Sequence, residues 1–366
     1  MKHLSPETHQ RKIVRVLGLA QVLNGIGVAG TVAAGSLLVS SITKSDGLSG
    51  LAQTISVLGA AVMALPLARL TQSGGRRLAL TFGYSVGVIG AVLAIFGGAN
   101  RNLFFMLLGA FMVGAASASG YQARFAAIDL ATPEKRSKDL SFVVWGSTIG
   151  AVTGPNLMEP SGVFAASLGL PELVGPYLIA ALTLFLSVIV IQLFLRPVPY
   201  LTAHKTAEGS LAKKSETTRS ALAHIREYPL ALFAIASVAI GHLAMVSIMV
   251  MTPVHMAHFD ATLRVIGLVI SVHVLGMYAF SPIVGAISDK LGRVRTIQIG
   301  VVILIASALI SGMAPHHDSF TLGFGLFLLG LGWSFTLIAG STLLSETVSF
   351  EMRPSTQGAS DLVMNL

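Results

Sequence analysis

Gly285-Ala-Ile-Ser-Asp-Lys-Leu-Gly-Arg-Val-Arg295 lies between two long apolar runs, and Ala68-Arg-Leu-Thr-Gln-Ser-Gly-Gly-Arg-Arg77 lies between two others, 217 residues earlier. Each is a short turn crowded with cations. A turn of this kind that recurs once, in the same apolar setting, marks a duplicated chain that threads a membrane. Among their differences two matter most: Ala68 stands where the second has Gly285, and Gln72 where it has Asp289. The first half therefore lacks the acidic member.

Composition agrees with a lipid solvent. The 366 residues are 53% hydrophobic and 11% charged, with mean hydropathy +0.77, against roughly 25% charged in soluble domains. There is no cysteine, which excludes disulfides, thiolate metal sites and a cysteine nucleophile. The net charge is +8, but the cations fall in loops between apolar spans and have no interleaved aromatic platform. They speak for membrane topology rather than nucleic acid. No Walker turn, Gly-x-Ser-x-Gly elbow or His-Glu-x-x-His helix is present, so ATP hydrolysis and hydrolase chemistry have no foothold. The reading is of a non-enzyme with no cofactor and no metal, driven by an ion or substrate gradient.

A spanning helix needs about 20 apolar residues, and ten stretches qualify: 13–42, 48–70, 78–98, 103–127, 140–158, 173–195, 230–256, 265–287, 296–314 and 320–344. Helices are required because a backbone in hydrocarbon must satisfy its own hydrogen bonds, and the alternating segments of a barrel are absent. With the amino terminus cytoplasmic, all of the 24 lysines and arginines except Lys44, Arg101 and Arg264 fall on the cytoplasmic side. Short loops and the lack of an Asn-x-Ser/Thr sequon point to a bacterial cell membrane. The chain divides into a first bundle (1–195), a proline-bounded, charge-rich cytoplasmic linker (196–228) and a second bundle (229–366).

The second turn resembles the loop between the second and third helices of each half of the major facilitator superfamily, whose pattern reads Gly-x-Leu-Ala-Asp-Arg-x-Gly-Arg-Arg. Gly285, Asp289, Lys290, Gly292 and Arg293 carry the match; Gln72, Gly75, Arg76 and Arg77 are the first-half counterparts. The resemblance implies an all-α polytopic fold of two bundles and a gating role for these turns. Asp289 can accept hydrogen bonds from the amino end of a facing helix and hold Lys290 or Arg293 in register. Span four ends in Arg124-Phe-Ala-Ala-Ile-Asp129, similar to the family's basic motif. Five residues turn a helix through about 500°, so Arg124 and Asp129 are poorly placed to pair. Arg124 needs a carboxylate, a helix carboxy terminus or water as its partner; with Gln72 in the aspartate's place, the charge network that the resemblance implies needs another acid, which these residues do not name.

In span five Gly146, Gly150 and Gly154 recur every fourth residue, followed by Pro155. The spacing lines one face with glycine, as in an ordinary packing seam. It also resembles the Gly-x-x-x-Gly-x-x-x-Gly-Pro signature of the drug:proton antiporter branches, although Met158 and Glu159 occupy the places of two further glycines.

Polar groups in apolar spans mark pathways. Gln21, Asn24 and Thr31 share a face of span one; His242, Met245 and Met249 form a stripe in span seven; His273 is central in span eight; and span ten presents Trp333. The resemblance places spans one, four, seven and ten around a central cavity. Either histidine could carry a coupled proton, or donate one hydrogen bond to a neighbour and never titrate; the methionines suit packing or a cavity for varied apolar ligands. After span ten, residues 345–366 approach an eleventh span and stop short of crossing. This leaves an expectation of an incomplete second bundle with its last two helices missing. The expected function is proton-coupled efflux of small amphipathic molecules by alternating access; a proton-coupled nutrient importer and a transport-inactive membrane scaffold are the alternatives.

Overall fold

The computed structural model describes residues 6–196, 227–258, 263–315 and 318–366. Every regular element among them is helical, and there are no strands. The expected linker, 196–228, lies outside the described residues except at its ends.

The first half comprises α1 (Pro6–Thr43), α2 (Leu51–Ala99), α3 (Leu103–Ala126), α4 (Arg136–Asn156), α5 (Met158–Ser167) and α6 (Gly175–Phe194). The second comprises α7 (Pro229–His258), α8 (Leu263–Tyr278), α9 (Ser281–Leu291), α10 (Arg293–Met313), α11 (Ser319–Thr347) and α12 (Arg353–Asn365). Eight helical stretches among the described residues are long and apolar enough to cross a membrane. Three departures from the expected spans have physical causes. The spans at 48–70 and 78–98 form one 49-residue element, α2, broken at Gly75. The span at 265–287 is split into α8 and α9, with Pro282 in the first turn of α9, where a missing N–H costs nothing. The span at 140–158 is α4, which starts four residues early, ends at Asn156 and is not among the eight; its polar first turn and glycines lower its hydropathy.

Within the first half α2 lies along α3, while α1 packs on α4 and α6; within the second, α11 packs on α10, α8 and α7. The halves meet where α12 lies on α2 and where α9 and α8 lie on α4. One apolar cluster crosses that boundary, joining Phe125, Leu140 and Val144 to Met245, Val284 and Trp333. Outward faces remain apolar and exposed, as with Ile89, Val302 and Leu309, which suits a surface solvated by lipid rather than water.

Candidate functional site

The two turns share one backbone conformation. Gly75 has φ 79°, ψ 172° and Gly292 has φ 89°, ψ 157°, a region essentially open only to glycine. The next residue in each copy is an arginine that returns to its own half. Arg76, fully buried, donates from Nε to Asp129 Oδ2 at 2.8 Å, from Nη2 to Asp129 Oδ1 at 3.2 Å and from Nη1 to Gln122 Oε1 at 2.9 Å. Its counterpart Arg293 donates to Asp289 Oδ1 at 2.7 Å and to the two Glu346 oxygens at 3.2 and 3.0 Å. Asp129 and Glu346 are themselves 217 residues apart. Asp129 thus serves the arginine of the turn, not Arg124.

Each turn also touches the opposite half at a helix amino terminus. Asp289 accepts from the backbone N–H of Ser137 at 3.1 Å and of Lys138 at 2.9 Å, in the first turn of α4, where the helix dipole favours an anion. Arg293 adds a bond to the Pro133 carbonyl at 2.8 Å, and Arg136 reaches Glu346 at 3.4 Å. In the first half Gln72 donates to Ser355 Oγ at 2.7 Å in the first turn of α12. Ser355 and Lys138 are again related by the 217-residue step. Gln72 therefore keeps the place of the aspartate and replaces its charged contact with a neutral hydrogen bond. The glycine has changed sides as well. Gly285 lies against Ser137 and Ser141 of α4, whereas Ala68 of α2 lies against Gly358 of α12. One missing Cβ on either partner permits the same close approach. Lys290 is exposed and Arg77 half-buried.

Arg124 finds its acid in α12. Its Nη2 donates to Asp361 Oδ1 at 2.5 Å, with both side chains almost fully buried, and its guanidinium lies 4.8 Å from the centroid of the Phe125 ring. Gln122 Nε2 also donates to Asp361 Oδ2 at 2.8 Å, and Arg76 Nη2 to Gln357 Oε1 at 2.6 Å. Arg124 borders a central cavity of about 60 Å³, whose other walls include Gln21, Tyr121, Ser147, Tyr278 and Trp333. Tyr278 and Trp333 meet edge to face with centroids 5.6 Å apart.

The family model described as Major Facilitator Superfamily covers residues 17–366. The chain is 34% identical to an uncharacterised MFS-type transporter, YdeG, of Bacillus subtilis, over 99% of this chain and 85% of that one. The chain belongs to the Major Facilitator Superfamily. The superfamily similarity extends to the riboflavin transporter RfnT of Brucella anthropi, 26% identical over 99% of this chain and 87% of that one. The fold matches the Escherichia coli fucose:proton symporter FucP, with a TM-score of 0.72 at 16% identity over 99% of this chain and 89% of that one. This is a multi-pass membrane protein of a transporter family, with bacterial relatives.

Of the pathway residues read from this superfamily member's sequence, Gln21 and Trp333 border the cavity. Asn24 is buried beside Gly120 at its edge. His242 lies behind Trp333 and accepts the indole Nε1–H at Nδ1, 3.1 Å away. Met245 and Met249 belong to the apolar cluster around Trp333. Two residues lie elsewhere. Thr31 bonds the Val28 carbonyl and borders a separate void of about 10 Å³ beside Tyr177. His273 is fully buried between α8 and α11, its Nδ1 2.8 Å from the Leu326 carbonyl. Both sit on faces that turn toward a neighbouring helix, a distinction helical spacing alone does not make.

The glycine seam meets α1. Gly150 lies directly on the backbone of Gly25, Gly146 on the Gly18 carbonyl and Gly154 on Ala29 and Gly30. Helix α4 ends at Asn156, just past Pro155, whose side chain lies outside the described residues, and α5 begins at Met158.

The reading from sequence missed Tyr121 and Tyr278, Glu346, Gln122, Gln357 and Asp361. Glu346 was accessible: the 217-residue step carries Asp129 onto it. Asp361 has no such signal, since the same step carries it back to Val144.

Proposed function

We propose that this chain is a secondary active transporter working by alternating access, which exports small amphipathic molecules from a bacterial cell in exchange for protons. The observation that carries this reading is the pair of symmetry-related turn networks, each bridging the halves on the face where lysine and arginine concentrate. That face is the cytoplasmic one if the charge bias sets orientation, with the amino terminus inside. The networks lock the cytoplasmic side, and their rupture opens the cavity inward. The aromatic walls of Tyr121, Tyr278 and Trp333 suit flat, apolar cargo, and Gln21 and Ser147 supply hydrogen bonds. In everted vesicles, export appears as proton-driven accumulation of an amphipathic dye. Accumulation only in right-side-out vesicles would replace this reading with import, and none in either would leave a scaffold. A nutrient as cargo is supported by the similarity to the riboflavin transporter RfnT, which spans 99% of this chain and 87% of that one.

Asp289→Asn removes the charge from contacts to two backbone N–H groups and Arg293. Charge-assisted bonds of this kind are worth about 2 kcal/mol, roughly a thirtyfold shift in population between closed and open. Transport should slow by at least about tenfold with membrane insertion unchanged. Wild-type rates in that variant would remove the turn from the gate.

His242 carries the coupled proton in this account. Because an indole nitrogen can only donate, His242 Nδ1 accepts from Trp333 and is unprotonated in this state. A proton there removes the acceptor and frees Trp333 to move in the cavity. His242→Gln should flatten the pH profile of transport. An unaltered profile would return His242 to a packing role.

A further inference from the structure

The 217-residue step that reproduces the gate fails at one ion pair. It carries Arg124 to Ser341 and Asp361 back to Val144, so the bond between Arg124 and Asp361 has no partner in the other half. It is also an ion pair between the halves beside the cavity rather than at the turns, joining α3 to α12. A contact that breaks the duplication belongs to something the two halves do differently, and the cargo is the asymmetric element of a transport cycle.

Arg124 is held for release. Its Nη2 is taken by Asp361, but its Nε, buried with the rest of the side chain, has no hydrogen-bond partner. A buried guanidinium N–H without an acceptor is expensive. Arg124 is the charged residue on the cavity wall among the described residues, and Gln21 Oε1 on the same wall is likewise unpartnered. The site thus offers a cation with a spare donor, an unused acceptor and three aromatic rings. Asp361 has somewhere to turn: Gln122 already donates to its other oxygen at 2.8 Å, so losing Arg124 does not leave it bare.

We infer that the cavity takes a planar aromatic ligand bearing a carboxylate or similar oxyanion, which displaces Asp361 from Arg124 and so frees one half from the other. The exchange is charge for charge. A neutral ligand leaves the ion pair intact, and a cation has no acid to meet unless it evicts Arg124. The consequence extends to the gate, because Gln122 joins Asp361 to Arg76, and Arg76 is bonded to Asp129 and to Gln357 of α12. An oxyanion on Arg124 therefore perturbs the buried cluster whose arginine follows the first turn. A cavity of about 60 Å³ holds only a few atoms, so a ring with its carboxylate enters only as this bond between the halves parts.

This inference rests on the transporter reading and specifies its substrate class. The test is binding to the full chain in lipid nanodiscs, by quenching of tryptophan fluorescence with 1-naphthoate and with its neutral isostere 1-naphthamide. The acid should bind at least about tenfold more tightly than the amide, because its carboxylate takes the unpartnered Nε of Arg124 as well as the Nη2 that Asp361 gives up, a net gain of one charge-assisted contact. Arg124→Gln should abolish that preference, and Asp361→Asn, which removes the competing anion and keeps the hydrogen bond to Gln122, should tighten 1-naphthoate binding. Equal binding of acid and amide by the unmodified protein would overturn the proposal whether or not either variant folds, as would weaker acid binding in Asp361→Asn. Binding and flux separate the two readings: a preference for the acid with no flux in vesicles refutes transport and keeps the site, whereas flux of dye with no such preference refutes the site and keeps transport.

Discussion

Arg76→Ala is expected to cost about 3–5 kcal/mol, the penalty for removing one partner of a buried ion pair, and to leave little monodisperse protein after extraction. The side chain is fully buried and satisfies Asp129, Gln122 and Gln357 together. Without it Asp129, itself buried, loses the guanidinium that bonds both its oxygens. Adding Asp129→Asn should recover part of the loss, because the orphaned charge disappears with it. Arg76→Lys should fall between, since an ammonium cannot make the two-pronged contact with the carboxylate. Thermal unfolding in detergent, read by size-exclusion fluorescence, decides the order. A melting temperature for Arg76→Ala equal to the parent's would contradict the assignment.

Gly150→Val is the second large effect. Any Cβ on Gly150 falls on the Gly25 Cα and carbonyl carbon and on the Ile26 nitrogen, and backbone atoms cannot rotate away as a side chain can. Helices α1 and α4 must separate along the seam. Overpacking of side chains costs roughly 1–3 kcal/mol, and a backbone clash exceeds it. Gly312→Ala is the matched control, a helical glycine whose Cβ meets nothing within 4 Å, and it should melt no lower than the parent. If Gly150→Val also melts like the parent, α1 and α4 are not in contact there.

Much of the fold was legible because lipid imposes long apolar runs, and the duplication because a glycine in a conformation closed to other residues must recur in each copy. Gly75 and Gly292 are that residue. The glycine seam was legible for the same steric reason, though not its partner α1. What the sequence withheld was mostly contact across the halves. Asp361 lies 237 residues from Arg124, and no periodicity connects them. Residues such as Thr31 and His273 were polar on an apolar helix, which says that a side chain needs a partner and not whether a cavity or a carbonyl supplies it. The departures in the first turn, Ala68 and Gln72, looked like losses in isolation. They make sense only beside α12, where Gly358 and Ser355 complete them.

The claim on which the rest depends is that the turn networks hold the two halves together on one face and release them. Because the chain contains no cysteine, spin labels can be placed on Arg11→Cys and Arg295→Cys, exposed positions at the starts of α1 and α10, without any background. Pulsed electron double resonance in nanodiscs should give a short distance for the parent and a second, longer population that grows when Asp289→Asn is added. A single distribution, the same with and without Asp289→Asn, would contradict the account.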